Sequence, residues 1–142
     1  MVKQFATGEV IRARIVKYPC IFHYGIAINC KDGCYIAHNP STAKSGNPKP
    51  LLESVEDFFK NRTFEKSFGV LTNKNEDKLL AKFDEIKDKD YSFFLFNCED
   101  FVNEMIDSFE FQRGKIQLGI LVVSVAVLSF FIGRSVVKHF KK

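Results

Sequence analysis

Near the N-terminus, polar and apolar residues keep a period of two. Val10, Arg12 and Arg14 alternate with Ile11, Ala13 and Ile15, which predicts a half-buried strand over Ala6 to Ile15. Tyr18-Pro19-Cys20 interrupts the pattern as a loop. Ile21 to Asn29 then resumes it more strongly, with Phe22, Tyr24, Ile26 and Ile28 on one face and His23, Gly25 and Ala27 on the other. Lys31-Asp32-Gly33 supplies a tight hairpin turn, and Cys34 to His38 reads as the returning strand. Asn39 to Pro50, rich in Ser, Pro, Gly, Asn and Lys, reads as an exposed loop.

Beyond that loop the period changes. Leu51, Leu52, Val55, Phe58 and Phe59 follow helical spacing and predict one short helix, while Phe64, Phe68 and Val70 mark a further strand within Arg62 to Leu71. Asn75 to Lys87 is an amphipathic helix with Leu79, Leu80, Phe83 and Ile86 on one side. Tyr91 to Phe96 is an apolar run that delivers the chain to Asn97. From there Phe101, Val102, Met105, Ile106 and Phe109 trace one buried helix face. Ile116 to Gly133 is 18 residues without a charge. As a helix it would reach about 27 Å, close to the hydrocarbon thickness of a bilayer. Lys115 and Arg134 flank it and can snorkel to the two interfaces.

This division changes the meaning of the charge. The chain of 142 residues carries a net +4, but every acidic residue lies at or before Glu110, and six of the 21 basic residues follow Gln112. Residues 1–112 thus carry 15 basic against 17 acidic groups, a net of −2. The basicity belongs to the tail, so no basic stripe marks a nucleic-acid partner. We expect a domain over 1–112, with a C-terminal transmembrane anchor and short basic tail over 113–142. The anchor would meet the bilayer through residues 116–137 and leave the domain facing the cytosol. The four cysteines come without a signal-peptide pattern and do not read as a disulfide framework; a reducing setting fits them.

Candidate chemistry centres on Asn97-Cys98-Glu99-Asp100. Asparagine is a good helix N-cap and acidic residues suit the first turn, so Cys98 is expected where backbone N–H groups and the helix dipole lower a thiol pKa. Two histidines are available to it. For a loop of two or four residues, His38 pairs with Gly25 or Ala27, so His23 and His38 project from one sheet face. His23 would take the Cys98 proton, and His38 would hold the His23 ring in its tautomer and orientation. Backbone N–H groups near Cys98 would serve a tetrahedral oxyanion. Taken singly, a strand histidine is more often a packed residue and a buried cysteine a small filler; the combination carries the reading. Cys30, Cys34 and His38, at even steps of four, lack the spacing of a structural zinc site and an obvious fourth ligand. No metal and no cofactor are expected.

The ordered set Gly8-Glu9-Val10-Ile11, His23-Tyr24-Gly25-Ile26-Ala27-Ile28, Tyr35-Ile36-Ala37-His38 and Asn97-Cys98-Glu99-Asp100-Phe101-Val102 resembles the lecithin:retinol acyltransferase-like family. It is closest in kind to the HRAS-like suppressor phospholipase/acyltransferases, many of which carry a C-terminal anchor. Ser54 to Phe59 adds a segment similar to a short helix of that family. The resemblance implies an α+β fold of circularly permuted NlpC/papain-like type, with an antiparallel sheet packed on helices. It implies a Cys98 acyl-thioester formed from a glycerophospholipid such as phosphatidylcholine, with His23 as base and His38 as third member. The acyl group would pass to water (phospholipase A1/A2 activity) or to an amine or hydroxyl acceptor. The family usually has histidine at the position of Asp100, a departure that bears on lipid preference or rate. Two other readings stand beside this one. A thiol isopeptidase removing ubiquitin-like modifiers shares the His-then-Asn-Cys order but generally lacks a counterpart of His38 and the anchor. The other is a membrane-tethered interaction module with an inert site.

Overall fold

The computed structural model describes residues 4–42, 46–92 and 95–107. It is an α+β fold built on one antiparallel sheet of five strands. The strands are β1 (Glu9–Ile15), β2 (Tyr18–Cys30), β3 (Gly33–His38), β4 (Leu51–Ser54) and β5 (Arg62–Val70), in the order β4-β3-β2-β1-β5. Three helices accompany them: α1 (Val55–Phe59), α2 (Glu76–Ile86) and α3 (Cys98–Ile106). Among the described residues no helix is long and apolar enough to cross a membrane. The expected span at 116–137 lies outside the described residues, as do Phe109 and His139.

The alternation along β2 becomes two cores, one on each side of the sheet. Tyr24, Ile26 and Ile28 pack with Val10 and Ala37 against Leu79 and Ile86 of α2 and Phe101, Val102, Met105 and Ile106 of α3. Ala27 joins Ile11, Ala13 and Ile36 on the other side, against Phe5, Val55 and Phe58. Because both faces are covered, β1 is buried at successive positions Val10 and Ile11 rather than at alternate ones.

Several boundaries differ from the sequence reading, each for a local reason. Tyr18-Pro19-Cys20 belongs to β2, which pairs Ile15 with Tyr18 and then Arg14 with Phe22, leaving Pro19, Cys20 and Ile21 as an exposed irregularity. Proline is tolerated there because a bulged residue owes the ladder no N–H. Leu51–Ser54 forms a strand along β3 rather than the start of a helix. Ser54 accepts the Asp57 N–H at 3.1 Å, capping a helix that starts only at Val55. The loop after β3 is not exposed throughout, since Asn39 is fully buried and donates Nδ2 to the Phe96 carbonyl at 2.9 Å. That bond fixes the approach to α3, where Ser92 and Phe96 close a short antiparallel bridge in place of a strand. α3 stops at Asp107, whose φ of +56° breaks the helix, and the Lys74 ammonium meets the Met105 carbonyl there at 3.1 Å.

Candidate active site

The β2–β3 hairpin turns through Lys31 and Asp32, with Cys30 opposite Gly33 and Ile26 opposite Ala37. Continuing that register sets His38 against Gly25, so His23 and His38 lie diagonally on one face, as the two-residue loop requires. His23 Nε2 and His38 Nδ1 are 2.8 Å apart, and the rings meet nearly perpendicular at 87° with centroids 4.9 Å apart. Both side chains are buried. Phe58 of α1 lies against the two of them, its centroid 5.9 Å from the His23 ring and 5.1 Å from that of His38. Gly25 permits this approach. A Cβ there would lie 2.5 Å from Ile36 Cγ2 and 3.4 Å from a Phe58 ring carbon.

A further member of the chain is absent from the sequence reading. Glu53 on β4 sits opposite Ile36, one diagonal step from His38, and its Oε2 lies 2.8 Å from His38 Nε2. Arg62 Nη1 is 3.7 Å from the same carboxylate oxygen, donates to the Phe58 carbonyl at 2.6 Å, and its guanidinium lies over the Phe58 ring at 4.7 Å. The signal for Glu53 was obscured because Leu51 to Phe59 reads as one helix. As a strand, it places residue 53 on the histidine face.

Cys98 opens α3 behind Asn97. The asparagine Oδ1 accepts the N–H groups of Glu99 at 2.8 Å and Asp100 at 3.2 Å, and Asp100 Oδ2 accepts the Asn97 N–H at 3.1 Å. This reciprocal cap gives Asp100 a structural task that an imidazole in its place would not reproduce in the same form. It also occupies two of the N–H groups expected for an oxyanion, those of Glu99 and Asp100. The paired register of β2 with β3 ends at Ile26 and Ala37. Beyond it the N–H of Tyr24, the residue following His23, donates to the Cys98 sulfur. The cysteine packs against the core between the sheet and α3, and meets β2 one residue beyond His23.

Electrostatics reverse one expectation. The helix start predicts a lowered thiol pKa, yet burial pushes the Cys98 thiol up to about 12, and the N–H donors and helix start offset it only in part. Residue 98 as a whole is only partly buried; it is the surroundings of the sulfur that are dry. Burial also lowers both histidines, His23 well below 6.5, with the other histidine and Arg62 adding to the effect there; the bond to Glu53 opposes it at His38. At neutral pH the site thus holds a thiol and two neutral imidazoles, not a thiolate–imidazolium pair. Tyr91 is held up to about 12 by burial and then by the charges of Cys98, Asp100 and Glu99, and keeps its phenolic proton.

Two measurements follow. Alkylation of Cys98 by iodoacetamide should be slow at pH 7.5 beside the exposed Cys20 and climb steeply into the alkaline range, as followed by peptide mapping. Labelling of Cys98 that plateaus below pH 9 would contradict a desolvated thiol. Stability should depend on pH through the histidines. Their folded pKa values lie below 6.5, so the unfolded chain takes up protons first as pH falls through 6.5, and stability is lost on acidification. The slope is at most about 1.4 kcal/mol per pH unit for each histidine. Denaturation midpoints at pH 7.5, 6.5 and 5.5 should decline, and less so in a His38→Gln variant; identical midpoints would show that the pair is not buried neutral.

The other cysteines are apart from this arrangement. Cys30 packs toward the α2–α3 core and Cys34 toward the α1 core, so they face opposite sides of the sheet. Among the described residues no group of three or more His, Cys, Asp or Glu side chains is placed to hold a metal ion. No protein-family description, curated protein or solved structure matches the chain.

Proposed function

We propose that the protein is a membrane-anchored thiol phospholipase A1/A2 and acyltransferase of the lecithin:retinol acyltransferase-like type, with the NlpC/papain-like permuted fold. The observation that carries the proposal is the buried His23–His38 hydrogen bond, one residue along β2 from the Tyr24 N–H that meets the Cys98 sulfur at the start of α3. As ester substrate approaches, His23 takes the Sγ proton, and the sulfur electron pair attacks the ester carbonyl carbon of a glycerophospholipid. The oxyanion forms near the Cys98 N–H. Its collapse breaks the C–O bond, and His23 returns the proton to the departing lysophospholipid oxygen. Water, an amine or a hydroxyl then loses a proton to His23 and attacks the thioester; the C–S bond breaks, and His23 returns the proton to the departing sulfur, restoring the thiol.

A protonated thiol at rest suits this sequence of steps, because the base is also neutral and ready to accept. The bilayer reached through residues 116–137 would bring the domain to its substrate from the cytosolic side. The bond between His38 and His23 weighs against the isopeptidase reading, whose members generally lack a counterpart of His38.

The test uses the full-length chain in mixed micelles with phosphatidylcholine. The wild type should release fatty acid or acylate an added amine lipid, carry a hydroxylamine-labile acyl mass on the Cys98 peptide, and partition with membranes unless truncated after Gln112. Cys98→Ala should lack the acyl mass and the activity. Equal silence of wild type and variant toward lipid would overturn the proposal and favour the inert-module reading.

A further inference from the structure

The bond from His38 to Glu53 closes a chain whose protons can be assigned from donor and acceptor capacity alone. We infer that Glu53 is a positioning residue that fixes the tautomers of both histidines and so leaves a lone pair on His23 Nδ1 as the working base. This rests on the proposed function only for the use of that lone pair; the tautomers themselves are a property of the fold.

The assignment starts at the carboxylate. Ionised, it accepts and does not donate, so at 2.8 Å the proton must be on His38 Nε2. A neutral imidazole with Nε2–H has its lone pair on Nδ1. That nitrogen lies 2.8 Å from His23 Nε2, so the proton between the rings belongs to His23. The remaining nitrogen of His23, Nδ1, is then bare. Reversal of the first bond reverses every later one, because each neutral ring carries one proton. If His38 bore its proton on Nδ1, it would donate to His23 Nε2, and His23 would be protonated on Nδ1, unable to accept from a thiol. Arg62, 3.7 Å from Glu53 Oε2 and itself held by the Phe58 carbonyl, places a positive charge beside this partly exposed carboxylate.

The chain also disposes of charge. When His23 Nδ1 receives the Cys98 proton and the sulfur retains the electron pair, the imidazolium donates through Nε2 to His38. His38 in turn donates through its own Nε2 to the anionic Glu53. The developing positive charge is thus linked to a negative one by two existing hydrogen bonds, without rearrangement of either ring.

The experiment is ¹⁵N NMR of the full-length chain, labelled at histidine and held in micelles at pH 8. His139→Gln identifies the signal of the third histidine. In the wild type, His23 and His38 should both show protonated Nε2 and bare Nδ1. A proton on Nδ1 of either ring would overturn the assignment outright. In Glu53→Gln, whose amide can donate as well as accept, protonated Nδ1 should appear on both histidines together. Phospholipid turnover should fall at least 10-fold with little change in KM, and Glu53→Asp should restore the wild-type tautomers and part of the rate. Unchanged tautomers in Glu53→Gln, or a change confined to His38, would remove Glu53 from this role. If the wild type shows the expected tautomers yet no lipid chemistry, the functional proposal fails and the relay stands.

Discussion

On the proposed function, His23→Asn is expected to lower phospholipid turnover by roughly 10²–10⁴-fold, the usual cost of removing a general base. The loss should be large here because the nucleophile does not ionise by itself. With the Cys98 thiol held up to about 12, thiolate is scarce near neutrality, and attack depends on a group that removes the proton as the ester approaches. The fall should appear in kcat, with KM little altered, because His23 is buried and presents little surface to an acyl chain. Part of the activity should return at high pH, where thiolate forms without help. Asparagine retains a polar group near His38, so the fold should persist, as circular dichroism and thermal melting can verify. A variant that keeps wild-type turnover at pH 7.5 would show that His23 is not the base.

Phe58→Ala should cost about 3–5 kcal/mol of stability, the range for deleting a fully buried aromatic ring. Phe58 has no exposed surface, and its ring is in contact with much of one core: the two histidines, the Arg62 guanidinium and the Phe59 ring at 5.0 Å. Truncation would leave a void against a sheet whose Gly25 cannot close it and would loosen the support of Arg62. For a domain of this size each kcal/mol lowers Tm by about 4–8 °C, so the melting transition should move by more than about 12 °C. Phe58→Leu should cost much less, since it keeps most of the volume. A loss below about 1 kcal/mol in the alanine variant, read from urea midpoints at pH 8, would contradict the central packing role.

Much of this arrangement was legible before the structure, and the unread part has identifiable causes. The period of two along β2, joined to a turn whose length sets parity, was enough to place His23 and His38 on one face. No distant contact enters that deduction. Asn97 likewise announces the start of α3, since capping is local chemistry. Glu53 was hidden because Leu51 to Phe59 carries apolar residues at spacings that suit a helix, and only pairing with β3 makes its first four residues a strand. Pairing is a non-local event that local propensity does not contain. The state of the thiol escapes the sequence for a related reason. Asn97 and the helix start are visible in the sequence and favour ionisation, whereas the packing that dries the sulfur is assembled from β2 and α3 together and outweighs them. Asp100 shows the reverse. A departure from the family pattern in the sequence becomes half of a reciprocal helix cap in the fold.

The state of the Cys98 sulfur has a consequence for durability. Peroxide consumes cysteines through their thiolates, in proportion to how much thiolate is present and how accessible it is. On the proposed function, a nucleophile stored as a neutral, desolvated thiol would react slowly with oxidants between turnovers and be unmasked only while His23 holds its proton. Such a site gives up a standing reserve of ionised sulfur and in exchange outlasts oxidant exposure that would convert a low-pKa cysteine to sulfinic acid.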